Sequence, residues 1–153
     1  MLYNIYFSPT GGTKKVADIL VRNPGGEVCE VDVCCDIEKM ALQAEDVCLI
    51  FVPSFAGRVP QVAIERLKKI SGNGAKVVLN CVYGNREWDD TLTELRTPLR
   101  AADLFVWRRS LLLLNTPFSG SLLLVVQIKK MHWSLRNLSG KSLKNLIAMF
   151  SES

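Results

Sequence analysis

Apolar and polar positions along the first two thirds of the chain fall into a repeating order. Runs rich in Val, Ile, Leu and Cys lie at 2–7, 27–33, 47–52 and 75–82, each bounded by turn residues, and they predict β-strands. Between them, apolar residues recur at helical spacing over 14–22, more weakly over 37–44, and again over 61–70 and 89–102. Asn23-Pro24-Gly25-Gly26 and Ser71-Gly72-Asn73-Gly74 mark loops after two of these helices. Strand and helix in alternation predict a doubly wound α/β domain, a parallel sheet with helices on both faces. The unbroken run Val47-Cys48-Leu49-Ile50-Phe51-Val52 fits a strand buried on both sides.

In an open sheet of this kind, ligands bind beyond the carboxyl ends of the strands, where the strand order reverses. The loops after the first, third and fourth strands therefore carry the candidate chemistry. The first is Ser8-Pro9-Thr10-Gly11-Gly12-Thr13, running from a strand into a helix that begins near Lys14. Glycines let backbone N–H groups approach a phosphate, the helix end adds partial positive charge, and hydroxyls donate further hydrogen bonds. The alternative for this stretch alone is an ordinary turn with Thr13 as helix N-cap. The second loop is Pro53-Ser54-Phe55-Ala56-Gly57-Arg58-Val59-Pro60, stiffened by two prolines. The third is Tyr83-Gly84-Asn85-Arg86-Glu87-Trp88-Asp89-Asp90, an aromatic pair with a glycine between them and helix-capping carboxylates behind. Any one of these aromatics taken singly is accounted for by local packing. On two loops at the phosphate end of one sheet, they suggest walls for a flat ring.

Composition changes the picture in two places. The five cysteines, Cys29, Cys34, Cys35, Cys48 and Cys81, show neither metal-ligand spacing nor a Cys-x-x-Cys, and read as reduced thiols of a cytoplasmic protein. No secretory leader and no membrane span of roughly 20 apolar residues is expected. The net charge of +4 hints at nucleic acid until it is divided along the chain. Residues 1–103 carry 12 Lys and Arg against 14 Asp and Glu, whereas 104–153 carry 7 against 1. The basicity belongs to a Leu-rich tail, so neither nucleic acid nor membrane is an expected partner.

The three loops resemble those of the flavodoxin-like family, whose first loop runs Ser/Thr-x-Thr-Gly-x-Thr. Ser8, Thr10, Gly11, Gly12 and Thr13 match that motif; Pro53, Ser54, Phe55, Ala56 and Gly57 resemble the family's second loop, and Tyr83, Gly84, Asn85 and Trp88 its third. The resemblance covers roughly residues 1–103. It implies bound FMN, with the phosphate on the 8–14 turn and its N–H groups, Lys14 included, and with Phe55 and either Tyr83 or Trp88 against the isoalloxazine ring. It also implies electron transfer with redox partner proteins, of ferredoxin type among others. Lys14 and Lys15 are otherwise a solvated face, and Arg58 is either a charge near the reduced flavin or a surface residue. No side chain need act as nucleophile or general base, and no metal is called for. Two alternatives stand beside this reading. A flavin-dependent reductase drawing on NAD(P)H needs a second nucleotide site that the sequence does not display. A non-catalytic α/β signalling module needs acidic residues where Ser8-Pro9-Thr10 and Pro53-Ser54 stand.

Past Asp103 the resemblance stops. Twenty of the 50 residues from 104 to 153 are Leu or Ser, where a fifth strand and an amphipathic closing helix of mixed charge are expected. Taking the third base of each codon with the first two of the next permits, from Phe105 onward, Cys-Val-Ala-Ala-Ile-Ser-Ala-Val-Ala-Glu-His-Ser-Ile, which looks like the missing strand and loop. Residues 104–153 are accordingly read as an out-of-frame segment of the same domain, poorly suited to cover one sheet face. The alternative is a divergent but genuine end, with an edge strand over 104–114 and a helix over 134–150.

Overall fold

The structure is a computed structural model that describes residues 1–21, 27–83, 95, 99–102, 104–115, 123–128 and 131–134. Its strands are β1 (Leu2–Tyr6), β2 (Val28–Asp32), β3 (Met40–Ala41), β4 (Val47–Pro53), β5 (Ile70–Ser71), β6 (Lys76–Tyr83), β7 (Phe105–Asn115), β8 (Leu123–Ile128) and β9 (Met131–Ser134). The helices α1 (Gly12–Val21) and α2 (Gln61–Leu67) lie between them. Seven strands form one sheet in the order β2-β1-β4-β6-β7-β8-β9. From β2 to β7 every pairing is parallel, with Tyr6 level with Asp32 on one side and Phe51 on the other. β8 and β9 extend the sheet antiparallel.

Burial along each strand reports its place. β4 is buried from Cys48 to Pro53 and β6 from Val77 to Val82, as central strands packed on both faces must be. β2 is an edge strand, and its Glu30 and Asp32 are exposed. Strand alternation sends Ile5, Cys48, Ile50, Val52, Val77 and Leu79 to one side, where Ala63 and Leu67 of α2 meet them. Tyr6, Leu49, Phe51, Val78 and Val82 face the other side, under Val16, Ala17 and Leu20 of α1. Helices therefore lie on both faces, as the alternating pattern predicts.

Four expectations are corrected. The weak helix over 37–44 does not form: Met40 and Leu42 instead donate their N–H groups to Lys69 O and Ser71 O, at 3.2 and 2.9 Å, and Met40–Ala41 pairs with Ile70–Ser71 as a separate two-stranded sheet. That pairing also shortens the helix expected over 61–70, because Ile70 is drawn into β5 and α2 closes at Lys68. α1 starts at Gly12, two residues before the predicted start. Of the helix expected over 89–102, Leu95, Leu99, Arg100 and Ala101 are described as helical, with Leu95 and Leu99 buried in the core; the rest lies outside the described residues. Asn23-Pro24-Gly25-Gly26 lies outside them too. The strand expected over 104–114 is present as β7, but β8 pairs along its outer side, so it is not an edge. Apart from Ser134, which ends β9, the helix expected over 134–150 falls outside the described residues. No helix among the described residues is long and apolar enough to cross a membrane.

Candidate functional site

The chain runs from β1 outward to β2 on one side and, through β4, to β6 and β7 on the other, so the order reverses between β1 and β4. A crevice opens at such a point beyond the carboxyl ends of the two strands, and both leading loops depart there. Phe7 N–H donates to Phe51 O at 2.9 Å, carrying the pairing one residue past β1 before the first loop turns away.

That loop is a tight turn. Gly11 N–H donates to Ser8 O at 3.1 Å, and Gly11 adopts φ +78°, a conformation that disfavours a side chain. A Cβ built on Gly11 would meet nothing within 4 Å among the described residues, so these leave the space beside Gly11 open. Lys15 N–H donates to Gly11 O at 3.1 Å, which makes Gly11 the residue at the helix entrance. Thr13 is therefore not the N-cap; it is the second residue of α1, and it is buried. The first N–H groups of a helix have no acceptor within it. Here Ser8 Oγ accepts the one from Lys14 at 2.8 Å, and Gly12 and Thr13 are the first two residues of α1, whose N–H groups have no acceptor within the helix. Accepting that bond leaves the Ser8 hydroxyl proton as a possible donor.

Lys14 is the expected residue that the structure turns elsewhere. Its Nζ lies 2.8 Å from Asp18 Oδ1, one turn along α1, 3.6 Å from Glu30 Oε2, and 5.0 Å from the centre of the Tyr6 ring. The hydrogen bond to Asp18 raises the ammonium's pKa and fixes it on the flank of the helix. Its backbone N–H is taken by Ser8, so Lys14 brings neither group to the turn.

The second loop departs beside the first. Ser54 N–H donates to Val82 O at 2.9 Å, which ties the loop to the end of β6. Phe55-Ala56-Gly57-Arg58 then closes a two-residue hairpin in which Phe55 and Arg58 exchange both backbone hydrogen bonds, at 2.9 and 3.1 Å. Ala56 at φ 52° and Gly57 at φ 80° give a type I′ turn. Such a turn suits Asn-Gly; alanine in that conformation stores on the order of 1 kcal/mol of strain. The hairpin carries the Phe55 ring, 51% exposed, at the sheet edge. Tyr83 ends β6 half-buried, and burial pushes its phenol above the ordinary pKa. Gly84, Asn85 and Trp88 lie outside the described residues.

One participant was not singled out in the sequence. Cys34, in the turn after β2, places Sγ 2.9 Å from the backbone N of Ser8 and accepts its hydrogen bond. Its own N–H goes to Asp32 Oδ1 at 2.8 Å, and Arg66 of α2 donates to its carbonyl and to that of Val33. The position at the carboxyl end of β2 was the available signal; a cysteine without metal-ligand spacing gave no reason to use it.

No protein-family model matches the chain, and no curated protein matches it in sequence. Solved structures do. Oxidised flavodoxin 1 from Bacillus cereus superposes with a TM-score of 0.57 at 16% identity, over 76% of this chain and 86% of that one. The Trp repressor binding protein from Bacillus subtilis gives 0.54 at 11% identity, over 80% and 89%. The Flv1 flavodiiron core from Synechocystis sp. PCC6803 gives 0.50 at 16%, over 68% of this chain and 28% of that one, so this chain spans just over a quarter of that protein's length. The fold is the flavodoxin-like α/β fold, with the strand order 2-1-3-4-5 carried by β2, β1, β4, β6 and β7.

Proposed function

We propose that the chain binds FMN and serves as a flavodoxin-like electron-transfer module. The observation that carries this reading is the Ser8 turn: a space that the described residues leave open beside a positive-φ glycine, at a helix N-terminus, on the crevice where the strand order reverses. The N–H groups of Gly12 and Thr13, with the hydroxyls of Ser8 and Thr10, would hold the dianionic phosphate, favoured by the helix dipole. Thr13, being buried, would act through its backbone. Phe55 on its hairpin would flank the ring from the β4 side and Tyr83 from the end of β6. Bound FMN supplies one- and two-electron chemistry, and the loops set its potential through hydrogen bonding and polarity. Likeness to a flavodoxin and a flavodiiron core supports a redox protein as partner.

Titration of the purified protein with FMN and with riboflavin tests the reading. Charge-assisted hydrogen bonds to the phosphate predict FMN binding at least about tenfold tighter. Equal affinities would remove the phosphate from the argument, and no binding of either would remove the flavin.

A further inference from the structure

Two adjacent thiols stand beside the turn. Cys34 is half-buried with Sγ on the Ser8 N–H, and Cys35, the next residue, is exposed. The backbone around them is held from both sides, Asp32 accepting the Cys34 N–H and Arg66 donating to the Cys34 carbonyl. The Cys34 sulfur is therefore presented to Ser8 by a fixed frame, while its neighbour is open to small molecules. A bond that turns Cys34 Sγ toward Cys35 would compete with its contact to the Ser8 amide.

We propose that Cys34 and Cys35 are a redox modification site that closes into a vicinal disulfide by exchange with a low-molecular-weight disulfide such as glutathione disulfide, releasing the Ser8 turn. The exposed Cys35, as thiolate, attacks one sulfur of the small disulfide; that S–S bond breaks, a mixed disulfide forms on Cys35, and one small thiolate leaves. Cys34 loses its proton and attacks the Cys35 sulfur, forming the intramolecular S–S bond and expelling the second small thiolate. Two protein thiols are oxidised by two electrons, the small disulfide is reduced to two thiols, and the two protons lost from the cysteines go to the leaving thiolates. Order of attack follows from exposure: burial pushes the Cys34 thiol up, so the solvent-facing sulfur reacts first.

Adjacent Cα atoms lie about 3.8 Å apart, below the roughly 4.4–6.8 Å usual for a disulfide, so the ring is strained and easily reduced. Such a bond is reversible under ordinary thiol concentrations, which suits a switch and not a structural staple. Its consequence for cofactor loading rests on the FMN reading above: a turn without its Cys34 support would hold the phosphate less well, and by linkage bound FMN would shift the equilibrium away from the disulfide.

The test begins without flavin. Full-length protein is treated with glutathione disulfide, digested and weighed, and amide hydrogen exchange is followed at Ser8. The expected result is loss of two hydrogens from the peptide holding Cys34 and Cys35, no retained glutathione, loss of Ser8 protection, and recovery of both on addition of dithiothreitol. Cys34→Ser should instead retain glutathione on Cys35. A stable glutathione adduct on Cys35 of the wild type, or a vicinal disulfide that leaves Ser8 protected, would overturn the proposal; both are read on the wild type, so a poorly folding variant does not decide it. FMN and riboflavin are then titrated into reduced and oxidised protein. Weaker FMN binding after oxidation, with riboflavin unchanged, supports the link to loading. If Ser8 protection is lost on oxidation while FMN binds in neither state, the redox site stands and the flavin reading falls.

Discussion

Ser8 Oγ accepts the Lys14 N–H at 2.8 Å, so a single hydroxyl ties the end of β1 to the first turn of α1. Ser8→Ala leaves that helix N–H without its acceptor. The expected loss is about 1 kcal/mol of stability, in the range of a lost helix cap, measured by urea unfolding. On the proposed FMN reading, in which the same hydroxyl donates to the phosphate, FMN affinity should fall about tenfold to a hundredfold. Unchanged stability would show that the hydrogen bond carries no weight in solution.

Ala56 offers a gain. Ala56→Asn converts the type I′ turn to the Asn-Gly pair that suits positive φ at both positions. Stability should rise by roughly 0.5–1 kcal/mol, seen as a higher urea midpoint at constant slope. A fall would mean that the Ala56 methyl makes a contact worth more than the strain.

Asn4 sits in β1 opposite Leu49 of β4, fully buried, and neither its Oδ1 nor its Nδ2 has a hydrogen-bond partner among the described residues. A buried amide in that state costs about 1–3 kcal/mol, and valine suits a central strand. Asn4→Val should therefore stabilise by about 1 kcal/mol or more. Asn80, on the same side of the sheet, donates from Nδ2 to Ile50 O at 3.3 Å and Val78 O at 3.2 Å, so Asn80→Val should have the opposite sign. Thermal unfolding of the two variants side by side checks both.

The dependence on pH follows from Asp46. Its Oδ1 accepts from the Met1 ammonium at 2.7 Å and its Oδ2 from Gln43 N–H at 2.8 Å. The ammonium holds the carboxyl below its ordinary pKa, and the carboxylate raises that of the ammonium. The carboxylate's contribution is present above about pH 4 and is lost as pH falls through the lowered value. The ammonium's contribution is full below about pH 8 and is lost as pH rises through the raised value. Asp46→Asn should flatten both limbs of a plot of melting temperature against pH. A profile like the wild type's would place the dependence elsewhere, with Asp36 on Lys69 the next acid-side candidate.

The out-of-frame origin proposed for residues 104–153 predicts a one-base slip near codon 104 of the parent gene. Sequencing decides it, and a continuous frame would end the idea. Restoring the frame should raise solubility and sharpen thermal unfolding, because a closing amphipathic helix removes apolar sheet surface from water.

Most of the parallel core was legible because its signals are local. Apolar runs placed β1, β2, β4 and β6 to within a residue at each end, and the Ser8-Pro9-Thr10-Gly11-Gly12-Thr13 stretch marked the turn now seen between β1 and α1. Where a segment's state depends on a distant partner, the local pattern failed. Residues 37–44 carry weak helical spacing, yet Lys69 and Ser71 supply backbone acceptors that draw Met40 and Leu42 into extended pairing. Lys14 stays on the solvated helix face read for it, but its pairing with Glu30 of β2 is one that spacing along α1 could not show.

Sequence by itself determined the four core strands β1, β2, β4 and β6 and the positions of α1 and α2, and which three loops carry hydroxyls, glycines and aromatics, since these depend on residue type and spacing along one segment. Tertiary structure alone decided that Ser8 is shared between Lys14 and Cys34, that Ala56 is held at positive φ, and that Asn4 lies buried without a partner among the described residues. Those relationships join residues of β1, the turn after β2 and the loop after β4, and only the parallel register, set by burial on both sheet faces, brings them together.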